Sequence, residues 1–113
     1  MRGRIMHVTL KKELLDEAIK AWPTYTKNFR GRGMVAQFMF VDRETCQVRS
    51  VTVWESQEIL AENERRPELP GQLSTFERFY ADKPYWTYYD IPGSWADIER
   101  LKALVGTMTP ARS

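Results

Sequence analysis

Met34-Val35-Ala36-Gln37-Phe38-Met39-Phe40-Val41 leads, through the polar stretch Asp42-Arg43-Glu44-Thr45-Cys46-Gln47, into Val48-Arg49-Ser50-Val51-Thr52-Val53-Trp54-Glu55. The first run is apolar except for Gln37, and the second is rich in β-branched residues, which favour strands. The polar stretch between them is short enough for a hairpin. A strand as uniformly apolar as Met34–Val41 asks for burial on both faces. One face can lie under helices, and the other needs a second cover.

The flanking sequence supplies the helices. Upstream, Ile5 to Leu10 alternates Met6, Val8 and Leu10 with Ile5, His7 and Thr9, the period of a strand. From Lys11 the period lengthens: Leu14, Ala18 and Trp22 recur every four residues, predicting an amphipathic helix that Pro23 interrupts. Arg30-Gly31-Arg32-Gly33 forms the loop before the hairpin. Downstream, Ser56 is a good N-cap for a helix through Ile59, Leu60 and Ala61, with Glu58 in its first turn. Pro67 and Pro70-Gly71 predict a break. Ser74-Thr75-Phe76-Glu77 has the spacing of a capping box and predicts a short helix with Phe76, Phe79 and Tyr80 on its apolar side. Tyr85 to Ile91 is an aromatic last strand. Alternation gives Tyr85, Thr87 and Tyr89 to one face, Trp86 and Tyr88 to the other. After Pro92-Gly93, Ser94 is expected to cap a terminal helix over about 94–106, with Trp95, Ile98, Leu101 and Val105 as a docking stripe and Gly106 as its stop.

The order β-α-β-β-α-β is that of an α+β ferredoxin-like sandwich, with a core over about 5–91 inside one domain of residues 1–113. The extra apolar faces of the second and last strands predict a symmetric homodimer. Composition agrees with one domain: the chain has 113 residues, 42% hydrophobic and 12% aromatic. A net charge of +2 gives no reason to expect nucleic acid. Cys46 is the only cysteine and His7 the only histidine, which excludes an intrachain disulfide framework and any two-histidine metal site, and no metal is expected. No G-x-S-x-G elbow occurs. Gly31-Arg32-Gly33-Met34-Val35-Ala36 precedes a strand, not a helix, so it is no dinucleotide loop. The longest apolar run falls far short of a membrane span. A cytoplasmic protein is expected.

Val51-Thr52-Val53-Trp54-Glu55-Ser56, with the helical Gln57-Glu58-Ile59-Leu60-Ala61 behind it, resembles the third strand and second helix of antibiotic-biosynthesis-monooxygenase-like domains. These form dimeric α+β barrels. The resemblance implies a pocket in each protomer between sheet and helices. It also implies oxygenation of aromatic or quinol-like small molecules without a cofactor. The haem-degrading relatives use an Asn on the first strand, a Trp at the end of the third and a His on the second helix. Trp54 matches that Trp, but the other two positions hold neither Asn nor His, which counts against haem.

The candidate catalytic residues are therefore His7, as a base acting on a phenolic proton, and Trp54, stacking on a planar substrate. Thr52, on the face of Trp54, together with Phe76 and Tyr88, is expected to contact that substrate. The alternative function is a non-catalytic small-molecule binding or dimerisation module, in which these aromatics only pack. Cys46 is expected to be an exposed bystander.

Overall fold

The computed structural model describes residues 1–105, the side chains of Asn28, Leu73 and Val105 excepted. Four strands, β1 (Arg2–Thr9), β2 (Met34–Asp42), β3 (Gln47–Trp54) and β4 (Tyr85–Asp90), form one sheet in the order β2-β3-β1-β4. All neighbours are antiparallel. Helix α1 (Leu15–Thr26) joins β1 to β2, and α2 (Gln57–Glu64) with α3 (Leu69–Ser74) joins β3 to β4. Each crossover spans a strand of the other unit, the interlocked arrangement of a ferredoxin-like fold. Helix α4 (Ile98–Val105) follows β4. Gln57 begins α2 because Ser56 caps it: its Oγ accepts from the Ile59 N–H at 3.2 Å.

The strand register sorts side chains into rows. On the helix-covered face, Val41, Val48 and Val8 form one row, and Met39, Ser50, Met6 and Trp86 the next. The third row, Gln37, Thr52, Arg4 and Tyr88, is polar throughout. On the other face, Phe40, Arg49, His7 and Tyr85 make one row, and Phe38, Val51, Ile5 and Thr87 another. Among the described residues no helix covers that face: Phe40 is 59% exposed and Tyr85 57%. The double-sided burial expected of β2 is therefore not found within one protomer, where β2 is an edge strand.

The polar row divides the core. One apolar cluster gathers Met6, Val8, Trp22, Val48, Phe76 and Phe79, and a second gathers Phe29, Trp54, Leu60 and Leu69. Gly33 is required where β2 meets α2. Its φ is +89°, and a Cβ there would collide with the Ile59 side chain.

Before the terminal helix, local expectations fail at four places. Pro23 does not end α1, which continues to Thr26; the buried Thr26 hydroxyl donates to the Trp22 carbonyl at 3.0 Å. Pro70 lies in the first turn of α3, where the missing N–H is not needed. Ser74 ends that helix instead of capping a new one, its hydroxyl donating to the Gly71 carbonyl at 2.8 Å. Cys46 is buried rather than exposed, at φ +61°, and its carbonyl accepts from the Leu10 N–H at 2.9 Å.

The terminal helix starts later than Ser94. Asp97 caps it, its Oδ1 accepting from the Arg100 N–H at 3.1 Å. The expected stripe is not docked on the protomer: Trp95 is 87% exposed and Ile98 55%. The side chain of Val105 and all of Gly106 lie outside the described residues. Among the described residues no helix is long and apolar enough to cross a membrane.

Candidate functional site

Between the two apolar clusters lies a cavity of about 210 Å³. The sheet contributes Arg4, Met6, Ser50, Trp86 and Tyr88; α1 contributes Trp22 and Tyr25; Phe29, Glu64 and Leu69 close the remainder. Alternation explains the sheet wall. Arg4 and Met6 precede Val8 and Leu10 on the inward face of β1, and Ser50 lies opposite Met6 where a larger apolar residue would fill the space.

Its chemistry centres on Glu64, at the end of α2. The Tyr88 hydroxyl donates to Glu64 Oε2 at 2.6 Å, and Arg4 Nη1 donates to the same oxygen at 3.3 Å. Both bonds end on Oε2, so Oε1 takes no part in either. Burial, and then the bond to Glu64, hold the Tyr88 phenol above its ordinary value. Burial, with the Tyr80 phenol beside it, raises Tyr25 likewise. Neither tyrosine is poised to lose a proton near neutrality. Among the described residues the buried indole N–H of Trp22 has no hydrogen-bond partner. Half of the lining residues are thus aromatic, and one is an ion-paired carboxylate.

Of the five residues expected to serve the site, Tyr88 lies on this wall. Trp54 shares the covered face but is fully buried in the second cluster, and its N–H donates to Thr52 Oγ1 at 2.9 Å. Thr52 is buried with it. Phe76 belongs to the first cluster and borders a separate, more open depression of about 670 Å³ on the outer side of α1 and α3. Tyr25 borders both spaces. His7 is on the opposite face of the sheet, so it and Trp54 share no cavity within the protomer. There it stacks on Tyr85, with ring centroids 4.5 Å apart, and bonds Thr87 Oγ1 through Nε2 at 2.8 Å. Burial, and then the nearby Arg49 charge, lower its pKa below the ordinary value.

Arg4 and Glu64 were not singled out by sequence reasoning. Arg4 was legible in principle, because the inward alternation Arg4-Met6-Val8-Leu10 places it on the covered face. Nothing in the local sequence marks Glu64, which reaches the cavity only because α2 crosses the sheet.

The ferredoxin-like sandwich is a fold shared with solved structures described as antibiotic biosynthesis monooxygenases. A monooxygenase of Streptomyces coelicolor, solved with nanaomycin D, superimposes with a TM-score of 0.69 at 11% identity, covering 84% of this chain and 90% of that one. SnoaB, a cofactor-independent oxygenase of Streptomyces nogalater, gives 0.63 at 8% identity, over 82% and 94%. An antibiotic biosynthesis monooxygenase gives 0.66 at 14% identity, over 82% of this chain and all of that one. No protein-family model and no curated protein matches the chain.

Proposed function

We propose that this chain is a small oxygenase that oxidises a hydroxylated aromatic, a phenol or quinol-like ring, with O₂ and no resident cofactor. One observation carries the reading: an aromatic cavity of about 210 Å³ whose wall holds a carboxylate, Glu64, fixed by Arg4 and Tyr88. The volume lies below the roughly 300–1,000 Å³ of drug-sized sites, which favours a small fused-ring substrate. The structural neighbours described as oxygenases support the reaction class.

The base in this mechanism is Glu64 instead of His7. Glu64 takes the phenolic proton, and the ring stacks against the aromatic wall away from water. One electron passes from the phenolate to O₂, and the two radicals combine at the ring carbon para to the oxygen. The proton held by Glu64 completes a hydroperoxide there. Its O–O bond then breaks; hydroxide leaves with that carbon's hydrogen as water, and the retained oxygen becomes a carbonyl. One phenol and one O₂ give one quinone and one water.

The test is O₂ uptake and quinone formation across a panel of mono-, bi- and tricyclic phenols. Turnover by the wild type that Glu64→Gln removes, with ring binding retained, supports the proposal. Binding without O₂ uptake supports a non-catalytic binding module instead, and no binding from the whole panel overturns the site.

The working unit in this reading is a homodimer paired through the open sheet faces. Its rows of Phe38, Phe40, Tyr85 and Tyr89 are what a second sheet buries. Sedimentation is expected to show a dimer, and Phe40→Glu a folded monomer. A wild type that remains at 13.3 kDa at all concentrations rules the pairing out.

A further inference from the structure

We infer that the substrate carries a carboxylate beside its reacting hydroxyl, and that Arg4, with Tyr25 and Ser50, is the receptor for it. The inference deepens the site proposed above and rests on that cavity being where the ligand binds. All three residues line the cavity. The Arg4 side chain is only 11% exposed, and among the described residues its one hydrogen bond is the 3.3 Å contact of Nη1 with Glu64 Oε2. A guanidinium presents several N–H groups in a planar fork. A single long bond leaves most of that fork without an acceptor.

Two hydroxyls border the same space. Ser50 is buried and lies diagonally across from Arg4, in the register where Met6 faces Ser50 and Arg4 faces Thr52. A long side chain reaches across such a diagonal. Tyr25 enters from α1, near enough for the Arg4 charge to act on its phenol, against the larger effect of burial. Among the described residues neither hydroxyl makes a hydrogen bond. Against these donors stands one carboxylate, Glu64, whose Oε2 is already bonded to Tyr88 and Arg4. A second carboxylate, with about four lone-pair positions and a negative charge, accepts from a guanidinium and two hydroxyls together. A neutral carbonyl or ether accepts fewer bonds and gains no charge assistance. The position of the carboxylate follows. Arg4 Nη1 and Glu64 Oε2 stand 3.3 Å apart, so a ring whose hydroxyl donates to Glu64 brings the adjacent substituent onto Arg4. That arrangement leaves the carbon para to the hydroxyl free for oxygen. It also sets a second negative charge near Glu64 and draws the guanidinium from it, which makes Glu64 the stronger base.

The experiment compares three probes of one ring system on the wild type at neutral pH: a hydroxynaphthoic acid with its two groups on adjacent carbons, the corresponding carboxamide, and the parent naphthol. Calorimetry measures binding, and an oxygen electrode measures turnover. The acid is expected to bind at least about tenfold more tightly than either neutral probe, the scale of one charge-assisted hydrogen bond. Arg4→Gln is expected to bring the acid down to the affinity of the carboxamide, and Tyr25→Phe to remove a few-fold of the preference. The wild-type ratio stands by itself if a variant folds poorly. Acid and carboxamide bound equally and oxidised equally overturn the inference and leave the oxygenase standing. A preference that persists in folded Arg4→Gln also overturns it. An Arg4-dependent preference without O₂ uptake supports the receptor and overturns the oxygenase instead. No binding by any of the probes overturns the site and the receptor together.

Discussion

The Tyr88 hydroxyl meets Glu64 Oε2 at 2.6 Å, joining the edge strand β4 to the end of α2 across the mouth of the cavity. Two residues far apart in sequence thereby set the position of the one carboxylate in an aromatic wall. Glu64→Gln is expected to lower kcat/KM by about 10²–10⁴, the usual contribution of a positioned base, with little change in melting temperature. Tyr88→Phe keeps the ring and leaves the carboxylate held by Arg4 alone, so a smaller loss is expected, mostly in kcat. Steady-state O₂ uptake by both variants checks the order.

Trp54 contributes through packing. Its indole is fully buried and its N–H is satisfied by Thr52. Trp54→Ala is expected to cost about 3–5 kcal/mol of stability. Urea unfolding measures this, and ligand affinity of the fraction still folded is expected to stay near that of the wild type.

His7 makes stability depend on pH. Its folded-state pKa lies below the ordinary 6.5, through burial first and the Arg49 charge second. The unfolded chain therefore takes up the proton at a higher pH than the folded one. The contribution is complete above pH 6.5, and is lost as pH falls below that value until the folded-state pKa is passed. The urea midpoint is expected to fall across that range in the wild type, and less in His7→Gln, which keeps a hydrogen-bonding side chain without the titration.

Gly33→Ala combines two penalties, the positive φ and the collision with Ile59. A loss of more than about 1 kcal/mol is expected. Gly31→Ala, also at positive φ but with open space around it, is the milder control in the same unfolding measurement.

The fold was legible because its signals are periodic. The hairpin, the alternation in β1, the Ser56 cap and the four-residue repeat of Leu14, Ala18 and Trp22 are local patterns, and each marks an element of the structure, although β1 starts at Arg2 ahead of Ile5 and α1 runs past Pro23 to Thr26. The site was far less legible. The resemblance around Trp54 pointed to the covered face, and the strand alternation put Thr52 beside it, yet both side chains fill core. A cavity is a deficit of volume between elements, and the residues that border it are chosen by how helices cross the sheet. Tyr88 was reached by alternation alone. His7 was misleading as a partner of Trp54 for the same reason: its parity in β1, Ile5-His7-Thr9, already assigned it to the other face.

The polar row Gln37-Thr52-Arg4-Tyr88 separates the two apolar clusters on the sheet, and the edge-to-face contact of Tyr25 with Phe29 joins them on the helix side; in the proposed reading a ligand adds a second bridge. An occupant of the cavity touches Met6 and Trp22 on one side and Phe29 and Leu69 on the other, so it couples the two halves mechanically. Amide hydrogen exchange in α2 and α3 is therefore expected to slow on binding more than exchange in the hairpin β2–β3. The same coupling makes thermal shift a sensitive way to find the substrate, since a ligand at a hundred times its Kd adds about 2.7 kcal/mol to the folded state.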